Sequence, residues 1–119
     1  MTKEEIIKKK LNELDKSDFR RSFGLKDKDI IYVKEKGIDV IREHAYNFIN
    51  NRLKGYPVVN DGRQTPMKGH PVFIGQHATG TCCRGCLYKW HGIDKTRELT
   101  KNEINYIVEL IMTWIKRQL

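Results

Sequence analysis

Thiols and imidazoles crowd one segment of this chain. His70, His77, Cys82, Cys83, Cys86 and His91 all fall between residues 70 and 91. Thiolate sulfur and imidazole nitrogen are the ligands zinc prefers, four of them in a tetrahedron. Cys83-x-x-Cys86 can supply two, and His70 and His91 can complete the set. Against a metal, the second Cys-x-x-Cys usual in structural zinc modules is missing. A helix over 81–91 would also put Cys83, Cys86, Leu87 and Trp90 at i, i+3, i+4 and i+7, which is one buried stripe. Free cysteine is among the most buried residue types, so the stripe reads first as core. No cofactor is predicted beyond a possible zinc. A third chemistry is nucleophilic. Cys82 falls in the first turn of that helix, where the helix dipole and Arg84 would depress a thiol pKa. With His77 or His70 as base, Cys82 would be a nucleophile, and Gln64, His70, Gln76 and His77 would form a polar pocket around it.

Helices must position these groups. Thr2 and Glu5 have capping-box spacing, and Ile6, Ile7, Leu11 and Leu14 follow at helical period, so residues 3–15 are expected to be helical. Phe19 and Phe23 anchor a short turn or helix that Gly24 can end. Asp27 or Asp29 can start a brief helix through Val33 that stops near Gly37. Ile38, Ile41, Ala45, Phe48, Ile49 and Leu53 form an amphipathic stripe that ends at Gly55 and Pro57. Gly55, Pro57, Gly62, Pro66, Gly69 and Pro71 then mark a long loop over 55–71. Such loops are functional or disordered. The apolar run Val72-Phe73-Ile74 docks its end, which predicts order. The last helix starts at the capping box Thr100-x-x-Glu103 and buries Ile104, Ile107, Val108, Ile111 and Ile115.

With 119 residues, the chain is expected to be one all-α domain. Four to five helices are predicted: a helical half over 1–54, an ordered loop over 55–71, and a Cys/His-containing core with a C-terminal helix–turn–helix pair over 72–119. No run approaches the ~20 apolar residues of a membrane span. The charged N-terminus is unlike a signal peptide, and three cysteines cannot all pair, so a cytoplasmic protein with reduced thiols is expected.

The net charge of +8 is unevenly spread. Between residues 50 and 91, Arg52, Lys54, Arg63, Lys68, Arg84 and Lys89 are opposed by Asp61 alone. Such a segment suits a phosphate backbone. A glycine turn at Gly80 that opens a helix would offer backbone N–H groups to an anion. Arg63, Lys68, Thr81, Arg84, Lys89, Lys95 and Arg97 would flank it. The leading expectation is therefore binding to DNA or RNA with little sequence readout. On that view Arg84→Ala weakens binding with little loss of stability. The alternatives are the Cys/His or metal-dependent enzyme above and an interaction module without chemistry.

Two resemblances bear on this. Gly80, Gly92, Ile93, Leu99, Thr100 and Glu103 match the spacing of the helix–two-turns–helix module, so residues 78–112 resemble that part of small-subunit ribosomal proteins and formamidopyrimidine-type DNA glycosylases. Ala78 stands where that module has its first glycine. The resemblance implies phosphate contacts from the backbone around Gly80 and Thr81. The glycosylases' catalytic proline and glutamate have no counterpart in Thr2 and Lys3, so their activity is not implied. Over nearly the whole chain, Gly62-Arg63-Gln64-Thr65-Pro66, Gly69-His70-Pro71-Val72-Phe73-Ile74, Gln76-His77-Ala78-Thr79-Gly80-Thr81-Cys82-Cys83-Arg84 and Lys89-Trp90-His91 resemble a bacterial and archaeal family of unknown function, numbered 4186 among such domains. Gly80 stands where that family has alanine. This resemblance implies no activity.

Overall fold

In the computed structural model, which describes residues 1–119, the last helix is the post around which the others gather. Thr100 Oγ1 accepts the Glu103 N–H, and the Glu103 carboxylate accepts the Thr100 N–H in return. This satisfies two of the donors a helix start leaves orphaned. The helix runs Lys101–Gln118 and buries Ile104, Ile107, Val108, Leu110, Ile111, Met112 and Ile115. That apolar face is wider than one stripe because helices cover it from several sides. Each such side chain contributes about 1.5–3 kcal/mol by leaving water.

Six helices precede it: α1 Lys3–Leu14, α2 Asp18–Arg21, α3 Asp27–Lys36, α4 Ile38–Arg52, α5 Pro71–Ala78 and α6 Arg84–His91, with Lys101–Gln118 as α7. There is no strand. The α7 helix packs on α5 and α4 and, less extensively, on α1. Ile41, Ala45 and Ile49 of α4 and Leu53 at its C-cap join Val72, Leu87 and the α7 stripe in the main core. Ile7, Leu11 and Leu14 of α1 close on Leu110 from the other side. The sequence pattern alone predicts fewer helices, and three differences matter for the site.

The first is α5. Val72-Phe73-Ile74 is the body of a helix, not the docked end of a loop. His70 caps it through Nδ1, which accepts the Val72 N–H at 3.0 Å. Pro71 fills N1, where its missing N–H costs nothing. Seven of its eight residues are buried, so no polar face marks the helical period.

The second is the Gly80 turn. It ends α5 and does not open α6. Gly80 takes φ +68°, and the Thr81 N–H reaches back to the Gln76 carbonyl at 2.9 Å, the closing bond of a Schellman cap. A Cβ at Gly80 would lie 2.8 Å from Trp90 Cδ1, so the bare glycine lets the indole seal the turn.

The third is the start of α6, at Arg84 instead of Thr81. Cys83 is its N-cap, and its Sγ accepts the Cys86 N–H at 3.3 Å. Cys82 therefore lies outside the helix. The helix ends at Gly92 with φ +64°, and the Ile93 N–H bonds Leu87 O at 3.2 Å. The turn over 92–100 then leads into α7, whose principal partners are α5 and α4.

Candidate functional site

Two helix ends meet at the cysteines. Cys82 bridges the cap of α5 and the cap of α6, and its carbonyl accepts Thr65 Oγ1 at 2.8 Å. Cys83 is the N-cap of α6, and Cys86 sits in the first turn. Their three sulfurs lie within 4.8 Å of one another. Cys82 and Cys83 are buried and Cys86 is half-buried.

A cation reaches into this group from α2. Ser17 caps that short helix, and its third residue, Arg20, is only 7% exposed. The Arg20 guanidinium donates to Cys86 Sγ at 3.2 Å, to Cys82 Sγ at 3.8 Å and to His77 O at 2.7 Å. The Phe19 and Trp90 rings flank it at 5.0 and 5.8 Å. No carboxylate touches it. A buried cation without a counter-charge costs several kcal/mol, and the only ionisable groups in contact with it are thiols.

The titration of these groups follows. Hydrogen bonds from the Cys82 and Cys83 thiols, with the Arg20 guanidinium, outweigh burial and hold Cys86 down at about 2. Cys82 is raised because it donates to the neighbouring sulfurs and is buried. Burial alone would lower Arg20, but its bonds to Cys86 and Cys82 raise it. One thiolate, two thiols and one guanidinium make a consistent resting charge state.

Buried Arg84 is neutralised in another way. It is 1% exposed, and its guanidinium donates to the carbonyls of Leu53, Lys54 and Gly55 at the end of α4 and of Asp94 and Arg97 beyond α6. The negative end of the α4 dipole takes the place of a counter-ion.

The histidines are committed elsewhere, which corrects both the His-containing metal set and the His-based nucleophile. His70 Nδ1 caps α5, and its Nε2 pairs with His44 Nδ1 at 3.0 Å. His91 Nε2 faces Thr79 O at 2.9 Å and its Nδ1 faces the Tyr106 hydroxyl at 2.8 Å. Since a carbonyl only accepts, Nε2 carries the proton and Nδ1 accepts from the tyrosine. His77 Nε2 faces the Thr65 and Pro66 carbonyls at 3.2 and 3.0 Å. It pins the loop instead of activating Cys82. The sulfurs that converge are those of Cys82, Cys83 and Cys86, without His70 or His91.

The expected pocket residues are also structural partners. Gln76 is fully buried, and its Nε2 donates to Thr65 Oγ1 and Thr81 O, both at 3.2 Å. Gln64 Nε2 holds Asp61 Oδ1 at 2.8 Å. That same oxygen accepts the Arg84 and Gly85 N–H groups at 3.0 and 3.3 Å. Asp61 thus occupies the anion position at the start of α6.

The expected phosphate contacts separate into two groups. Gly80, Thr81 and Arg84 are buried, so they present nothing to a phosphate. Arg63, Lys68, Lys89 and Lys95 are exposed and in no ion pair, whereas Arg97 grips Glu103 with both guanidinium nitrogens, at 2.8 and 2.9 Å. Sequence reasoning missed Arg20 and Asp61. Neither carries a local signal: Arg20 sits among balanced charges, and Asp61 is one acid in a loop.

A family model described as "Domain of unknown function (DUF4186)" matches residues 8–116. No solved structure matches the chain.

Proposed function

We propose that this chain, which belongs to the DUF4186 family, is a metal-binding protein that holds a thiophilic divalent ion, zinc first among them, on Cys82, Cys83 and Cys86. The observation that carries this reading is the convergence of three sulfurs within 4.8 Å beneath a buried guanidinium with no carboxylate partner. An ion about 2.3 Å from each sulfur in a tetrahedron spaces the sulfurs by roughly 3.8 Å, so a small contraction completes the set. Charge supports it as well. Three thiolates and a dication leave one negative charge, and Arg20 offsets it.

Three protein ligands leave a fourth position open, as in catalytic zinc sites. None of the four main clefts in the surface is lined by a cysteine. What reaches the fourth position is therefore small, a water or a single ligand atom. Holding or sensing the ion suits this setting better than turning over a large substrate.

Cobalt is the direct probe. The reduced protein is expected to take up one Co²⁺ per chain, with intense sulfur-to-cobalt charge-transfer bands and tetrahedral d–d bands, and zinc should displace it. Cys83→Ser and Cys86→Ser should abolish these bands. Arg20→Met should weaken the ion by about 10- to 100-fold, the usual cost of losing a group that orients the ligands. Absence of thiolate bands, or uptake indifferent to all three cysteines, would overturn the reading.

A second reading, nucleic-acid binding, rests on Arg63, Lys68, Lys89 and Lys95, which stay exposed and unpaired. If all four contact phosphates of a duplex, log affinity should fall against log salt with a slope of about −3 to −4. Alanine at all four should flatten that slope without changing the fold. A slope unchanged by those substitutions removes these residues from any such interface.

A further inference from the structure

A cleft of about 510 Å³ opens between the start of α3 and the start of α5. That volume lies within the ordinary range of small-ligand pockets, about 300–1,000 Å³. One wall is Phe23, Gly24 and Lys26 together with Lys28, Asp29 and Tyr32 of α3. The other is Lys68, Gly69 and the first residues of α5.

The two walls combine apolar surface with unbalanced positive charge. Phe23 and Tyr32 are aromatic, and Met67 and Ile74 add aliphatic surface. Lys26, Lys28 and Lys68 are exposed and in no ion pair. The one acid, Asp29, is already engaged: it is buried, and its Oδ2 accepts the Lys26 N–H at 3.1 Å. His70 adds no anion-repelling or anion-binding change at neutral pH, because both its ring nitrogens are taken. Three cations against one acid leave the cleft net positive beside its aromatic surface.

We propose that this cleft binds a mononucleotide-like ligand, an aromatic base carrying a phosphate, with the base against Tyr32 and Phe23 and the phosphate among Lys26, Lys28 and Lys68. This site is separate from the cysteine centre and does not depend on it. Lysine suits a phosphate here as a mobile point charge on a flexible stem. The lining offers a partner for each half of such a ligand, rings for the base and cations for the phosphate.

Calorimetry on the full chain tests this with AMP, adenosine and inorganic phosphate, in chelator so that metal plays no part. AMP is expected to bind one per chain, at least about tenfold tighter than adenosine or phosphate alone. Lys26→Ala with Lys68→Ala should weaken AMP by about tenfold or more and leave adenosine unchanged. Tyr32→Leu should weaken both AMP and adenosine. Lys89→Ala with Lys95→Ala, which removes the same charge outside the cleft, should leave AMP binding as it was. A short oligonucleotide that binds no better than AMP would identify the free nucleotide as the natural form, and one that binds far better would identify a strand end. The proposal fails if AMP shows no saturable binding, if phosphate alone matches AMP, or if the Lys89/Lys95 variant weakens AMP as much as the Lys26/Lys68 variant does.

Discussion

Arg84→Ala is expected to cost about 4 kcal/mol of unfolding free energy, enough to threaten a domain of ordinary stability, about 5–15 kcal/mol. Removing the guanidinium orphans five carbonyl acceptors. Nη1 serves Leu53, Lys54 and Gly55 at 3.0, 3.4 and 3.2 Å, and Nη2 serves Asp94 and Arg97 at 2.8 and 2.6 Å. A hydrogen bond to a charged group is worth about 1.5–3 kcal/mol. Five share one guanidinium and some can rehydrate, so the total is held well below five times that. Arg84→Lys should recover little, because one ammonium cannot span two carbonyl clusters on opposite sides of it. Urea titration of both variants checks this, with a midpoint drop at nearly constant slope as the expected result. A loss under about 1 kcal/mol in Arg84→Ala would mean that those carbonyls are solvated and the loop is held elsewhere.

That outcome reverses what the charge pattern predicts for the same residue. From sequence, Arg84 is one cation in a basic segment, and a surface arginine costs little to remove. Nothing in the neighbouring residues distinguishes a surface cation from one that seals the end of α4, because the carbonyls it binds belong to residues 53–55 and 94–97. Arg20 is the same case, since its sulfur partners lie more than sixty residues away in the chain. Buried cations are written in long-range geometry.

Local rules were legible where local physics decides. Thr2 with Glu5 and Thr100 with Glu103 form both capping boxes, because the partners are three residues apart. The α4 and α7 stripes hold because those helices are long enough to show a period. The period fails for α5, which is buried on nearly all sides. The cysteine stripe was half right: Leu87 enters the main core and Trp90 packs towards α1. The sulfurs gather instead, because Cys83 spends its own sulfur on capping the helix. A glycine before a helix also reads the same whether it opens that helix or ends the previous one. Gly80 ends α5, and the expected anion turn is lost with that assignment.

Acid should unfold this protein earlier than its carboxylates alone would, and His70 is the main reason. Burial, with the neighbouring His44 adding to it and Asp29 opposing, brings His70 down to about 4. His91 is also lowered to about 4 by burial, against the Thr79 carbonyl and with help from Lys10 and Arg20. A lowered imidazole stays neutral in the fold while the unfolded chain takes up a proton. Its contribution is complete above about 6.5 and is lost as pH falls towards 4. For His70, 8% exposed, the shift corresponds to about 3 kcal/mol, and His91, more open to solvent, adds a smaller share. Protonation of His70 would also put an N–H against the Val72 N–H that it caps.

The windows of other groups differ, which makes the assignment testable. Glu103, held at about 2 chiefly by Arg97, gives up its share only below its ordinary value near 4.5. Lowered Cys86 gives a slope of the same sign over a much wider range. The imidazole signature is therefore a steepening that begins near pH 6.5. His70→Asn keeps a capping oxygen for the Val72 N–H and removes the proton. Denaturant stability followed from pH 7.5 to 4 in chelator should steepen below 6.5 in the parent protein. In His70→Asn that steepening should be largely gone, whatever the variant loses at pH 7.5. Equal steepening in both would place the acid response outside the α5 cap. The cap would then be tolerant of charge, and the response would belong to His91, the other lowered imidazole.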